Sequence, residues 1–233
     1  MRQPGTRQPR SAPPRIAGLT MARIVDAALQ LVDADGADGL QMRALATRLG
    51  VAQSALYKHV PGKDALLEAL LERVLGDFDT DIDPDLSWRD QLTELAHRFR
   101  AALHAHSGLA GLLKTHDPLG ENSTRTLDAW ARALLRAGLS EEEAGHAWFT
   151  LVHYVIGFEA TWAFDGRNVT RAFDPEALAE VHARFDALDP ARYPGAAALG
   201  RHIWNPAVEE RFAFGLALLV DGLAARAANR VNP

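Results

Sequence analysis

Gly50 and Val51 stand between two short amphipathic segments, and no other arrangement in this chain restricts its fold so tightly. Residues 40–63 read LQMRALATRLGVAQSALYKHVPGK. Leu45 and Leu49 lie four apart before the glycine and Leu56 and Val60 four apart after Val51, so each segment offers an apolar stripe at helical spacing. Glycine takes the left-handed conformation that ends a helix within one residue, which branched and bulky side chains resist. The next helix can then leave at a steep angle, and the segment reads as a helix-turn-helix.

With Leu56 and Val60 turned inward, the second helix has Gln53, Ser54, Tyr57 and Lys58 left to present. That face holds donors, an acceptor and a planar ring, with no acid. It suits the major groove of double-stranded DNA: Gln pairs with an adenine edge, Lys meets a phosphate or a guanine, and Tyr reaches a phosphate while its ring packs on sugar or a thymine methyl. Arg43, Arg48 and Lys63 bracket the face as phosphate contacts would. The competing reading is an ordinary helical hairpin in an all-helical core. Charge separates the two. Residues 1–63 carry nine Lys and Arg against four Asp and Glu, about +5, while the whole chain is −5, so an acidic body of about −10 follows a basic head. Such polarity draws one end toward DNA and repels the other.

At 233 residues and 48% hydrophobic content, the chain has room for one small domain and one larger one. It has no cysteine, which excludes disulfides, thiolate metal sites and thiol nucleophiles. No unbroken apolar run approaches the roughly 18 to 20 residues of a bilayer span, and the Arg-, Pro- and Gln-rich start has no apolar core, so a cytoplasmic protein without membrane contact is expected. Residues 1–18, with four prolines and four arginines and no apolar period, read as a flexible basic arm: a solvated tail or a segment lying along DNA. Residues 19–65 would form the DNA-binding domain and 66–233 an effector-binding and dimerisation domain.

Helical periods continue throughout. Thr20 is placed to cap a helix to about Asp35, broken by Gly36 and Gly39, and another opens at Lys63 or Asp64 and runs through Leu75. The acidic stretch 79–85 reads as a linker. Ser87 caps a helix to about His106, a shorter one lies around Leu109–Lys114, Ser123–Arg136 ends at Gly138, and Ser140 with Glu143 forms a capping box before a helix to about Ala163. Residues 165–201 form a looser connection with one helix near Glu176–Leu188, and the chain closes on a helix from Pro206 through Leu223. No period of two occurs, so the expected fold is all-α. Phe212, Gly215, Leu216, Leu219, Val220 and Leu223, with Val155, Gly157 and Ala160, supply apolar and small positions for a four-helix interface with a second copy. Plain core packing competes with that reading.

The stretch Ala22–Leu75, above all LATRLGVAQSALYKHVPGKDALLEAL, resembles the DNA-binding head of the TetR family of bacterial transcriptional regulators. The body is similar to the tetracycline-repressor subgroup, with Ser87-Trp88, Phe99-Arg100, His106, Pro118, Thr126-Leu127, Gly138 and His153 with Gly157 in matching order. The resemblance implies a homodimer of nine or ten helices per chain that binds a palindromic operator and releases it when a small molecule enters the body. It implies that Arg43, Gln53, Ser54, Tyr57, Lys58, His59 and Lys63 hold operator-contacting positions. Ser54 stands where tetracycline repressors have proline and Lys58 where they have tryptophan, so the resemblance carries the docking mode and not the operator sequence.

The body departs from that subgroup where its drug and metal are held. The amide position falls at Leu95, the magnesium-binding histidine at Leu113, the pocket glutamine at Trp130, and the glutamate of the metal's water shell near Thr161. Mg²⁺ prefers oxygen ligands and retained water, so a tetracycline–magnesium effector is not expected, and neither is any metal or cofactor. A cavity lined by Leu95, Phe99, Leu113, Trp130, Trp148, Phe149 and Val152, with His116 and His153 as polar points, would suit an apolar or aromatic molecule with one or two hydrogen-bonding groups. For each of these residues core packing is the alternative.

Two other functional classes compete. An enzyme would need a constellation that is not visible: His97, His104 and His106 are close in sequence, yet no HExxH, serine elbow, phosphate loop or dinucleotide fingerprint accompanies them. A dimeric DNA-binding regulator without small-molecule control has the same sequence signature as an effector-controlled one, because a cavity and a core share composition.

Overall fold

The computed structural model describes residues 18–106, 109, 119–163, 174–205 and 207–231. Ten α-helices are present among them, and no strand. Helix α1 (Met21–Gly39) starts under a Thr20 cap, whose Oγ1 accepts the Arg23 N–H at 3.3 Å. It buries Ile24, Val25, Ala28, Leu29 and Val32 and is broken within its last turn at Gly36, where φ is 75°. Helix α2 (Met42–Leu49) ends at Gly50 with φ 67° and ψ 32°, the left-handed conformation that its lack of a side chain permits. Helix α3 (Gln53–Leu56) is only four residues long and continues as a turn, with the His59 and Val60 N–H groups both donating to Leu56 O at 2.9 Å. Leu45, Leu56 and Val60 are fully buried, as the spacing predicts.

Helix α4 (Lys63–Asp77) belongs to two cores. Leu66, Leu67, Leu70, Leu71 and Val74 pack with α1–α3 in the head, whereas Leu75 and Phe78 pack with the body. The head's core therefore reaches Val74, beyond the 65/66 division expected from sequence, and it also takes in Leu109 from much later in the chain.

The body begins with α5 (Trp88–Ala105), capped by Ser87 Oγ accepting the Asp90 N–H at 3.2 Å. The acidic residues before it are not a loose linker, because Arg98 of α5 holds Asp79 Oδ2 at 2.6 Å and the Asp81 carbonyl at 2.9 Å. Helix α6 (Glu121–Arg136) closes at Gly138 with φ 83°. Helix α7 (Glu141–Ala163) opens on the expected capping box: Ser140 Oγ accepts the Glu143 N–H at 3.3 Å while Glu143 Oε2 accepts the Ser140 N–H at 3.1 Å. The helix expected around Leu109–Lys114 falls outside the described residues apart from Leu109.

Two helices, not one, follow: α8 (Pro175–Asp186) and α9 (Pro194–Ile203). They pair through Gly200, whose missing Cβ leaves room for the Phe185 ring, and through an Arg201–Asp186 ion pair. Helix α10 (Val208–Val231) lays Phe212, Leu216 and Val220 against the body core. Its Val208–Asn229 span, mean hydropathy 1.3, is long and apolar enough to cross a membrane by length and composition alone, although it contains no unbroken apolar run of that length. Its leucines, valines, phenylalanines and alanines raise the mean, and Asp221 and Arg226 interrupt them. A further expectation changes. Val155, Ala160, Phe212, Leu216 and Val220 are consumed by the chain's own core, whereas Leu219 and Leu223 are half-buried and Phe149, Phe214 and Leu218 are exposed on α7 and α10.

Candidate functional site

All seven predicted DNA-contact residues, Arg43, Gln53, Ser54, Tyr57, Lys58, His59 and Lys63, are exposed on the head. Burial of Leu56 and Val60 beneath them orients α3, and Gln53 Nε2 donates to Tyr57 Oη at 3.4 Å, aligning these two side chains one turn apart. Arg48 is steadied by α1, donating from Nη2 to Gln30 Oε1 at 2.7 Å. Arg43, Thr47 and Arg48 line a shallow open depression on α2. Helix α4 begins at Gly62 with no side-chain cap, so its first amides and Lys63 together form an end suited to an anion. The head thus offers a polar, acid-free face flanked by cations.

The predicted cavity residues divide. Leu95, Phe99, Trp130 and Val152 are buried in one cluster, with Trp148 packed against it and the Phe99 and Trp130 rings edge-on at 6.4 Å. Phe149 and His153 are not brought to it. They lie on the outer side of α7, stacked at 4.1 Å, with His153 Nδ1 2.8 Å from the Phe149 carbonyl and Phe149 58% exposed. Helix α7 is apolar around most of its girth and turns Leu151, Val152 and Val155 into the core instead. Leu113 and His116 fall outside the described residues. Three buried side-chain atoms have no partner among the described residues: Trp130 Nε1 in the cluster, Trp148 Nε1 packed against it, and Thr126 Oγ1 one turn before Trp130 on α6. Unpaired donors in an apolar core cost about 1–3 kcal/mol each, so they mark where an acceptor-bearing molecule would be stabilised. A groove of about 290 Å³ lies elsewhere, between α7 and α10, lined by Leu139, Glu143, His146, Leu219, Leu223 and Arg226 among others.

One polar cluster escaped the sequence reading. Arg100 of α5, its side chain 10% exposed, donates to Glu159 Oε1 at 2.6 Å and to both oxygens of Glu209 at 2.6 and 2.8 Å, and its guanidinium lies over the rings of Phe212 and Phe158 at 4.5 and 5.2 Å. His104 Nδ1 lies 3.1 Å from the other oxygen of Glu159. Burial alone would push the Arg100 pKa down, but the hydrogen bonds and charges of Glu209 and Glu159 hold it above its ordinary value. Glu209 is in turn held below the usual carboxyl value, first by its hydrogen bond from Arg100. The signal was present in the periodicity: Leu92, Leu95, Phe99 and Leu103 place Arg100 on the buried side of α5. Tyr154 supports the same corner, donating from Oη to Phe212 O at 2.8 Å across Gly215, where a Cβ would not fit.

A cation-flanked helix-turn-helix joined by one shared helix to an acidic all-helical body defines a DNA-binding regulator. The family model for bacterial regulatory proteins of the tetR family matches residues 24–70, and that for the tetracyclin repressor-like C-terminal domain matches residues 82–227. The class A tetracycline repressor of Escherichia coli, from transposon 1721, is 36% identical over 209 residues, spanning 87% of this chain and 89% of the relative. The transcriptional repressor DrrR1 of Streptomyces coeruleorubidus is 31% identical over 216 residues, spanning 91% and 80%. Among solved structures, the Streptomyces coelicolor TetR-family protein ActR in complex with actinorhodin aligns with TM-score 0.82 at 28% identity, covering 91% of this chain and 99% of that one. The chain belongs to the TetR family of transcriptional regulators, and it is not an enzyme.

Proposed function

We propose that the protein is a cytoplasmic homodimeric repressor that docks α3 of each copy into the major groove of a palindromic operator and releases it on binding a small, largely apolar aromatic molecule. The observation that carries the DNA reading is the exposed Gln53–Tyr57 face above buried Leu56 and Val60, bordered by Arg43, Arg48 and Lys63. Gln53, Ser54, Tyr57, Lys58 and His59 supply the groove contacts, while Arg43 and Lys63 meet phosphate. A second copy brings a second head and covers Phe149, Phe214 and Leu218.

The effector reading rests on the unpaired indole N–H groups of Trp130 and Trp148, which pack with Leu95, Phe99 and Val152, and on the unpaired Thr126 hydroxyl one turn before Trp130 on α6. These groups would hold an aromatic molecule carrying carbonyl or phenolic oxygens. The similar protein ActR has been solved in complex with a small molecule, actinorhodin, which supports small-molecule control. A magnesium-chelated drug is disfavoured: Leu95 and Trp130 are buried in apolar contact, and Thr161 donates its hydroxyl to Gly157 O of its own helix at 2.7 Å. Ligand favours one placement of α4 and operator another, so the two compete through conformation.

Selecting bound DNA from a random pool tests the first part. An enriched palindrome is expected, and absence of any enriched sequence refutes operator binding. Thermal unfolding with actinorhodin and a panel of aromatic polyketides tests the second, since a molecule bound to the native state raises the midpoint. The edge-on packing of Phe99 against Trp130 favours a regulator without small-molecule control, and a panel that moves neither the midpoint nor the operator complex would remove the main support for effector control.

A further inference from the structure

The amino end of α6 has no capping side chain of its own. Its cap comes from α4. One carboxylate, Glu72, accepts three backbone N–H groups there: Gly120 and Ser123 donate to Oε1, each at 3.1 Å, and Asn122 to Oε2 at 3.0 Å. Asn122 returns the contact, donating from Nδ2 to the Glu72 carbonyl at 3.0 Å, and Arg125 donates to Gly76 O at 3.3 Å. The fit is close on both sides. A Cβ on Gly120 would lie 2.3 Å from the Glu72 carboxyl carbon, and one on Gly76 would lie 3.0 Å from Asn122 Nδ2. A carboxylate at a helix amino end also meets the positive end of the helix dipole, so the contact is directional and charge-assisted.

Its position gives it consequence. Glu72 lies one residue past Leu71 and two before Val74, both in the head's core, and three before Leu75 in the body's. On the other side, α6 carries Thr126 and Trp130, two of the three residues with unpaired buried polar atoms, about two and three turns beyond the cap residue Gly120. We propose that Glu72 is the positioning residue that sets the placement of the head on the body, by locking α4 to the amino end of α6. Displacement of α6 by a molecule held at Trp130 would move that carboxylate and α4 with it. This last step rests on the effector reading above; the placement itself does not.

The chain has no cysteine, so labels can be placed at will. The test uses full-length protein with spin labels on Ala44→Cys in α2 and Arg132→Cys in α6, diluted with unlabelled protein so that only distances within one chain are read. The parent should give a narrow distance distribution. Glu72→Ala and Gly120→Ala should each broaden or displace it, speed exchange of the 120, 122 and 123 amides by roughly tenfold, and weaken binding to the selected operator. The double variant Glu72→Ala/Gly120→Ala should be no worse than either single one, because removing the carboxyl frees the space that the new Cβ needs. Glu72→Gln keeps the volume and one acceptor oxygen and should lie between, which decides the matter if the alanine variant does not fold. Faster amide exchange with an unchanged distance distribution would make Glu72 a plain helix cap and overturn the proposal. The distance measurement needs neither DNA nor effector, so it stands even if no operator is recovered.

Discussion

Replacing Arg100 with methionine isolates the buried ion cluster of the body. The guanidinium fills a space between Phe158 and Phe212 that a methionine side chain can occupy, so little packing is lost. Its partners fare differently. Glu209 has a side chain 78% exposed and returns to water, whereas Glu159 is 2% exposed and keeps only His104, 3.1 Å away. A buried charge stripped of its partner costs about 3–5 kcal/mol, and that is the loss expected for Arg100→Met. In Arg100→Met/Glu159→Met both charges leave together, and stability should return to within about 1 kcal/mol of the parent or exceed it. The assay is urea unfolding followed by helical circular dichroism at one fixed protein concentration, with the slope compared so that a change in midpoint reports stability alone. Measuring Glu159→Met as well closes the double-mutant cycle and gives the coupling between the two side chains. A single variant within about 1 kcal/mol of the parent, or a double variant as unstable as the single, would show that Glu159 is not held by Arg100.

Tyr57→Ala should weaken operator binding by about 1–3 kcal/mol with the oligomeric state unchanged, read by gel shift and sedimentation; parent-like affinity would mean that α3 does not enter the groove as described. Lys63→Ala should lower affinity for all sequences alike and reduce the salt slope of log K by about one, and an unchanged slope would remove Lys63 from the phosphate contacts. The Glu209 carboxyl is held below its ordinary value of 4.5, so its contribution is full above that value and is lost as pH falls through the lowered one. Acid unfolding of Glu209→Gln should accordingly be shallower than that of the parent below pH 4.5, and superimposable acid limbs would refute the linkage. Phe214→Asp with Leu218→Ser should yield monomers that retain their helicity, since both side chains are more than half exposed in one chain; an intact dimer would place the interface elsewhere.

What was legible in the sequence was local. Gly50 with φ 67°, the Thr20 cap and the Ser140–Glu143 box each depend on residues within one turn, and each stands where spacing put it. The pairing of faces was less legible. Phe149 and His153 are four apart on α7, but so many of that helix's residues are apolar that spacing could not choose which side turns inward, and the structure turns both outward. Helix α9 was missed because PGAAALGRHI has small residues where a period would show, and its buried glycine leaves no apolar mark. Arg100 lay on the buried stripe in plain view, yet its acids come 59 and 109 residues later, beyond any local rule. Glu72 was equally hidden: a glutamate in a helix reads as solvated surface until another helix's amino end is seen to sit on it.

The shared helix α4 explains why these long-range contacts matter for DNA reading. Its leucines up to Leu71 and its Val74 fill the head, while Leu75 and Phe78 fill the body, so no rotation of α4 leaves both cores undisturbed. Close-packed interiors resist gradual deformation and favour discrete alternatives. The head carries a further contact from the body, with His106 Nδ1 at 3.2 Å from Asp33 on α1 and Leu109 buried in the head's core. The head is therefore held at separate places, by α4 with its Glu72 lock and by the segment after α5, and a shift in one of them strains the other. On the proposed reading, a helix-turn-helix so held would meet DNA at a set angle, and a molecule that moved α6 would change that angle rather than the reading surface itself.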